Sequence, residues 1–209
     1  VQNIPEWHKS TYWQNWLKTD EVKDELKSLK SADWVEYQRV WKLKDKVLIG
    51  LFHSFKQEKV SNTDRWHKFT AFVQKGAKRL RDFACFEALQ AYFVQMHGLH
   101  MSTWDQWPIE YQSPTDALII AWCEQHRDAY EYALYLQFIA HEQLEHAQSL
   151  AKQSGMRIGL YRDIAVGVAR YGADTWTRQH AYALSCSIGA PPDQLNMQGQ
   201  DWGLPPPVP

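Results

Sequence analysis

Cysteine is scarce in this chain, with three among 209 residues at Cys85, Cys123 and Cys186. They are widely spaced, odd in number and form no Cys-x-x-Cys, which excludes a disulfide framework and a zinc knuckle. That usage predicts a reducing, cytoplasmic setting. Long apolar runs are missing too, and nothing approaches the roughly 18 unbroken apolar residues of a membrane span. No signal peptide is expected from Val1-Gln2-Asn3-Ile4-Pro5, which has neither a basic nor an apolar segment. Charge of one sign is not in excess. The 23 basic and 24 acidic side chains leave no basic face, so neither nucleic acid nor membrane is an expected partner. Gly-x-Ser-x-Gly, P-loop and dinucleotide fingerprints do not occur, and no cofactor is implied.

What is abundant is aromatic: 11 Trp and 10 Tyr. Trp offers a flat apolar face with one donor, suited both to core packing and to stacking on sugar rings. Most of the chain has helical texture. The charge run Asp20 to Lys27 places opposite signs three and four apart, as on a solvated helix. Ser31 or Asp33 is the expected cap of the next helix, whose apolar set Val40, Leu43, Val47, Leu48, Leu51 and Phe55 keeps the 3.6-residue period. Ser61, Asn62 and Thr63 are competent caps for a helix carrying Trp66, Phe69, Phe72 and Val73. Gly76 loosens or bends it before a further helical stretch through Leu80, Phe86, Leu89 and Phe93.

Residues 98 to 114 form a connecting loop with Gly98, Pro108 and Pro114, and Thr115 or Ser113 restarts helix. From Ala117 to Gln153 the pattern fits one long helix or two broken near Gln125 to Arg127, with Tyr132, Leu136, Ile139, Ala140, Leu144 and Ala147 on one face. Gly155 is the natural C-cap. Only then does strand-like material come, Met156 to Tyr161. Ala181 to Ile188 reads as a second strand or as a packed loop. The missing start Met and the Pro205-to-Pro209 ending point to a piece of a longer chain.

Two His-containing clusters invite a metal assignment. In His141-Glu142-Gln143-Leu144-Glu145-His146, the pairs four apart share helix faces. The zincin, inverted zincin and ferritin-like patterns each lack a ligand here, so a solvated helix face is expected and no metal. His97 and His100 straddle a helix end and read as a capping or packing pair. Asp163 follows the apolar run by two residues. It fits either the mouth of an α/β barrel or the N-cap of a turn. Asp193 follows Pro191-Pro192, whose fixed φ stiffens the loop and favours binding of a ligand hydroxyl. Trp202 would stack on a sugar with Gln200 bonding nearby, or pin its loop to the core.

The run Gly155-Met156-Arg157-Ile158-Gly159-Leu160-Tyr161-Arg162-Asp163-Ile164-Ala165-Val166-Gly167 resembles the strand motif of bacterial 4-alpha-glucanotransferases. These are the amylomaltases of glycoside hydrolase family 77. Gly189-Ala190-Pro191-Pro192-Asp193, followed by Gly199-Gln200-Asp201-Trp202-Gly203-Leu204-Pro205-Pro206, is similar to the same family's loop over the substrate cleft. Phe86-Glu87-Ala88-Leu89 and Trp104-Asp105-Gln106-Trp107-Pro108 add a looser likeness, so that it covers most of residues 31 to 209.

The resemblance implies a (β/α)8 barrel with an inserted helical subdomain. This chain would be mainly α with a short β portion: helical 1–30, a helical insertion at 31–154, and barrel strand plus cleft loop at 155–209. It implies retaining transfer of α-1,4-glucan segments between malto-oligosaccharides. Asp163, near the cleft, would support the catalytic arrangement, and Asp163, Asp193, Gln200 and Trp202 would contact substrate. Other branches read Gly-Asp-Leu-Pro where this chain has Arg162-Asp163-Ile164-Ala165. Such chemistry needs two carboxylates roughly 5–5.5 Å apart. The family carries them in motifs resembling Arg-Ile-Asp-His, Gly-Glu-Asp-Leu-Gly and Thr-His-Asp, none of which occurs in this sequence. A complete barrel takes about 250 residues. The expectation is therefore an incomplete barrel, inactive alone and lacking its C-terminal part. The alternative is a non-catalytic helical module that binds glucan or protein.

Overall fold

The computed structural model describes residues 1–208. In chain order the helices are α1 (Pro5–Lys9), α2 (Thr11–Trp16), α3 (Asp20–Ser31), α4 (Tyr37–Val60), α5 (Asp64–His97), α6 (Ile109–Gln112), α7 (Asp116–Gln125), α8 (Arg127–Gln153) and α9 (Ala173–Thr177). Two strands follow, β1 (Ile188–Ala190) and β2 (Gln200–Leu204), paired antiparallel. The fold is thus mainly helical with a short β portion. No helix among the described residues is long and apolar enough to cross a membrane.

Local chemistry explains most boundaries. Thr63 Oγ1 accepts from the Trp66 amide at the start of α5, and Thr115 Oγ1 accepts from the Leu118 amide at the start of α7. α7 and α8 are separate, broken at His126, whose backbone leaves the helical region. Gly155 takes φ 91° just past α8, the left-handed conformation that ends a helix at least cost. α5 is bent at Ala77, where φ is 44°. The expected cap at Ser31 or Asp33 is not made. α3 runs on through Ser31, and α4 begins only at Tyr37 with no side-chain cap.

Two compact units result: Val1–Lys75 with Tyr135–Met156, and Gly76–Leu134 with Arg157–Pro209. In the first, Val47, Leu48, Leu51, Phe52 and Phe55 of α4 are buried, along with Tyr135, Phe138 and Ile139 of α8. Phe55 stands edge-on to Phe69 at 5.2 Å and lies 4.9 Å from Tyr135. The buried face of α8 is displaced from the expected one: Tyr135 and Phe138 point inward and Leu144 is exposed. Glu142 continues that inward stripe because Arg65 meets it there.

The second unit is built on tryptophan. Trp104, Trp107, Trp122 and Trp176 are buried together with Phe86, Leu89 and Phe93. Each of three indoles finds an acceptor: Trp107 the Met101 carbonyl, Trp176 the Tyr111 carbonyl, and Trp104 the Thr175 hydroxyl. Their N–H groups are thereby satisfied inside an apolar core, as burial requires. Residues 98–114 are consequently not a slack connection but a set of short turns carrying three core residues, Met101, Trp104 and Trp107.

The strand expected over Met156–Tyr161 does not form. Gly159 takes φ 83°, which interrupts any extended run, and the side chains face solvent: Ile158 is 75% exposed, Tyr161 91% and Ile164 89%. The strands lie instead in the Gly- and Pro-rich tail. β1 starts at the end of the Ala181–Ile188 run, and β2 falls where only loop was expected.

Candidate functional site

The tail from Ser187 to Leu204 is a hairpin with an irregular tip. Its register pairs Ile188 with Leu204, Gly189 with Asp201 and Ala190 with Gln200. Between the first two pairs β2 has residues to spare, so Trp202 and Gly203 stand in a bulge. Bulges bend a strand and re-aim a side chain, and they recur beside binding sites. Gly203 makes the bend possible with φ 67°. Asp201 holds it, since its Oδ1 accepts from the Gly203 amide at 2.9 Å and from the Ser187 hydroxyl. Those bonds, the Ser187 hydroxyl first and the Gly203 amide next, keep the Asp201 carboxyl below the usual carboxylate range.

Trp202 is 43% exposed on this bulge. Its Nε1–H donates to Gln200 Oε1 at 2.9 Å. The indole is therefore oriented by a neighbour two residues back, with its donor already committed. Sequence reasoning named both residues, and the structure brings them together. It overlooked Asp201 and Ser187, although Asp201 stands inside the Gln200-Asp201-Trp202-Gly203 run; a carboxylate two residues before a glycine was the available signal.

Asp193 belongs to the tip of the same hairpin. Its Oδ1 accepts from the Leu195 and Asn196 amides at 2.8 and 2.6 Å, and its own amide donates to the Asn196 carbonyl at 3.0 Å. The carboxylate organises a turn through one oxygen, which is a common use of aspartate. Asp163 is exposed, and its Oδ1 accepts from the following Ile164 amide at 2.9 Å. No hydrogen bond joins Asp163 to Asp193, Gln200 or Trp202 among the described residues. The His-rich run of α8 is engaged elsewhere: His141 stacks on Phe72 with ring centroids 5.1 Å apart and lies 3.2 Å from Glu145, while Glu142 pairs with Arg65.

A second feature is a groove of about 490 Å³ between α5 and the segment Val168–Asp174, with Phe83, Phe86, Glu87, Gln90 and Tyr171 among its lining. Burial against these walls raises the Glu87 carboxyl above the usual carboxylate range, although the residue keeps solvent access at the mouth.

Comparison with known proteins assigns the class. The sequence profile described as 4-alpha-glucanotransferase, glycoside hydrolase family 77, matches residues 7–209. A 4-alpha-glucanotransferase of Haemophilus influenzae is 32% identical over 212 aligned residues, covering 99% of this chain and 30% of that protein. One from Mycobacterium tuberculosis is 37% identical over 138 residues, covering 66% of this chain and 18% of the relative. The amylomaltase structure from Corynebacterium glutamicum superposes with a TM-score of 0.72 at 29% identity, over 99% of this chain and 26% of that one. The chain belongs to the 4-alpha-glucanotransferase family. It spans less than a third of the length of these relatives.

The amylomaltase of Streptococcus agalactiae, solved with acarbose, shares the fold with a TM-score of 0.68 at 19% identity, over 83% of this chain and 34% of that one.

Proposed function

We propose that this chain is a substrate-handling portion of a 4-alpha-glucanotransferase, which moves α-1,4-glucan segments between malto-oligosaccharides with retention at the anomeric carbon. In this proposal residues 31–154 form the helical insertion after the 1–30 segment, and 155–209 form the cleft-lining part of a (β/α)8 barrel completed by further chain. The compartment is the cytoplasm. The observation that carries the proposal is the bulged hairpin, on which Gln200 fixes the edge of Trp202 for stacking on a glucose ring. Asp193 and Asp163 flank substrate from the hairpin tip and from the 156–165 segment. A stacking group held in advance loses less freedom on binding, which favours affinity for a weakly held sugar.

Catalysis itself is assigned elsewhere. Retaining transfer needs a nucleophilic and an acid/base carboxylate flanking one bond. The acidic motifs that would supply them are absent from these 209 residues. The chain alone is thus proposed to bind maltotriose without rearranging it. Titration of maltotriose should quench tryptophan fluorescence, and Trp202→Ala should abolish that change. Product analysis after long incubation should show maltotriose only. New chain lengths above a no-protein control, or a fluorescence change indifferent to Trp202→Ala, would overturn the proposal.

A further inference from the structure

We infer that the groove between α5 and Val168–Asp174 is a second saccharide site, taking a neutral α-linked glucosyl unit on a lining separate from that of Trp202. This inference rests on the chain being a glucan handler and adds a site to that function. The volume of about 490 Å³ lies within the roughly 300–1,000 Å³ usual for small-molecule sites. Its walls are set before any ligand arrives. Thr175 Oγ1 donates within the 169–172 turn, lying 2.8 Å from the Arg170 carbonyl and 2.9 Å from that of Gly172, and it accepts from Trp104 Nε1. Trp104 in turn meets the Tyr171 ring edge-on at 6.0 Å. On the opposite wall, Gln90 Nε2 donates to the Ser102 carbonyl at 2.6 Å, which leaves its Oε1 as an acceptor.

The polar inventory selects the ligand class. Glu87, exposed at the mouth of the groove, has no hydrogen bond or charged partner among the described residues. A carboxylate so placed gains from hydroxyl donors, and hydrogen bonds to a charged group are the stronger kind. The Tyr171 and Thr103 hydroxyls also lack partners among the described residues. Phe83 and Tyr171 supply flat apolar surface for the C–H face of a sugar ring. Arg170 Nη1 donates to the Leu184 carbonyl and Nη2 to that of Cys186 at 2.8 Å, neutral acceptors that hold the guanidinium in place and leave its charge standing in the lining. Asp174 is paired with Arg178 at 2.5 Å. With Glu87 set against Arg170 and Asp174 against Arg178, the groove carries no net charge, which suits neutral polyols better than phosphorylated sugars.

The test is a two-dimensional NMR titration of the isotopically labelled 209-residue chain with maltotriose, following the Gln90 side-chain amide and the Tyr171 backbone amide. Both should shift in a saturable way, and equally in Trp202→Ala. Glu87→Gln is isosteric and should stay folded, as its thermal midpoint would verify. It should weaken the groove's affinity roughly ten-fold, the loss expected for one charged hydrogen bond. Tyr171→Phe, which removes a hydroxyl alone, should weaken it by a smaller factor. Glucose 6-phosphate should leave the groove signals unmoved. Groove signals that ignore maltotriose, or that respond equally in Glu87→Gln, overturn the inference, as does an equal response to glucose 6-phosphate. Hairpin shifts without groove shifts sink this site and leave the proposed function standing. Groove shifts without hairpin shifts do the reverse.

Discussion

Arg65 Nη1 lies 2.8 Å from Glu142 Oε2, reaching from α5 to a helix position that the sequence suggested as a solvated face or a metal ligand. The same guanidinium binds Glu6, which is fully buried and also accepts from the Tyr135 hydroxyl at 3.0 Å. Phe55 and Phe138 bracket it with ring centroids 5.6 and 5.1 Å away. Burial alone would lower the proton affinity of Arg65; its bonds to Glu6 and Glu142 outweigh that and raise it. Removing one member of a buried ion network strands the remaining charges, at a cost of about 3–5 kcal/mol. Arg65→Met should therefore unfold at markedly lower denaturant than the native sequence. Equilibrium unfolding followed by circular dichroism measures this, and an unchanged midpoint would show that the network is solvated.

Glu58 gives a pH dependence of definite sign. Lys9 Nζ bonds its Oε1 at 2.5 Å and Thr63 Oγ1 its Oε2 at 2.8 Å. These bonds, Lys9 first, hold the Glu58 carboxyl below its ordinary value in the folded chain. Between the folded and unfolded values the unfolded state binds more protons. The contribution is thus present above the unfolded value, near about 4.3, and is lost as pH falls through the folded one. Lys9→Met should flatten the fall in stability between neutral and acid pH, read as the shift of thermal midpoint across that window. An acid limb as steep as that of the native chain would count against the pair.

The three thiols should separate cleanly by reactivity. Cys85 and Cys123 are buried in the tryptophan-rich core and Cys186 is exposed. The Cys123 sulfur beside it, and then burial, push the Cys85 thiol up, away from the reactive thiolate. A chromogenic disulfide reagent should titrate one thiol per native chain, and Cys186→Ser should reduce that to none. Denaturant should expose the other two. Fast reaction of two or three native thiols would contradict the core packing.

At Gly189 the hairpin tolerates no side chain. A Cβ there would lie 1.9 Å from the Gln200 carbonyl oxygen, a backbone atom that cannot swing aside. Gly189→Ala should cost about 1–3 kcal/mol of local stability, the usual penalty of overpacking. Hydrogen exchange should lose protection in β1 and β2 while Leu89 and its neighbours keep theirs. Retained hairpin protection would mean that the strands pair differently.

Helices were legible wherever periodicity and a cap coincided. Thr63 and Thr115 announced α5 and α7, Gly155 closed α8, and the absence of Gly and Pro between Ala117 and Gln153 left only the His126 break undecided. The misreadings share a cause in partners that sequence periodicity does not display. Leu144 fitted the expected stripe of α8, but Glu142 faces inward because Arg65 arrives from 77 positions earlier. The Met156–Tyr161 run has strand composition, yet a strand is defined by a neighbour to pair with, and Gly159 turns the backbone left-handed instead. At the candidate site, motif likeness drew attention to Gln200 and Trp202. Their mutual hydrogen bond was out of reach because it depends on the bulge, and the bulge depends on Ser187 reaching Asp201.

A two-stranded sheet has two outer edges, and such edges invite further strands from neighbouring molecules. Here the invitation is brief. Pro191 and Pro192 follow β1 directly, and Pro205 through Pro207 follow β2. Because proline offers no amide hydrogen, any incoming chain finds only a few rungs before the ladder gives out, which should keep concentrated solutions of this protein clear of β-type fibres.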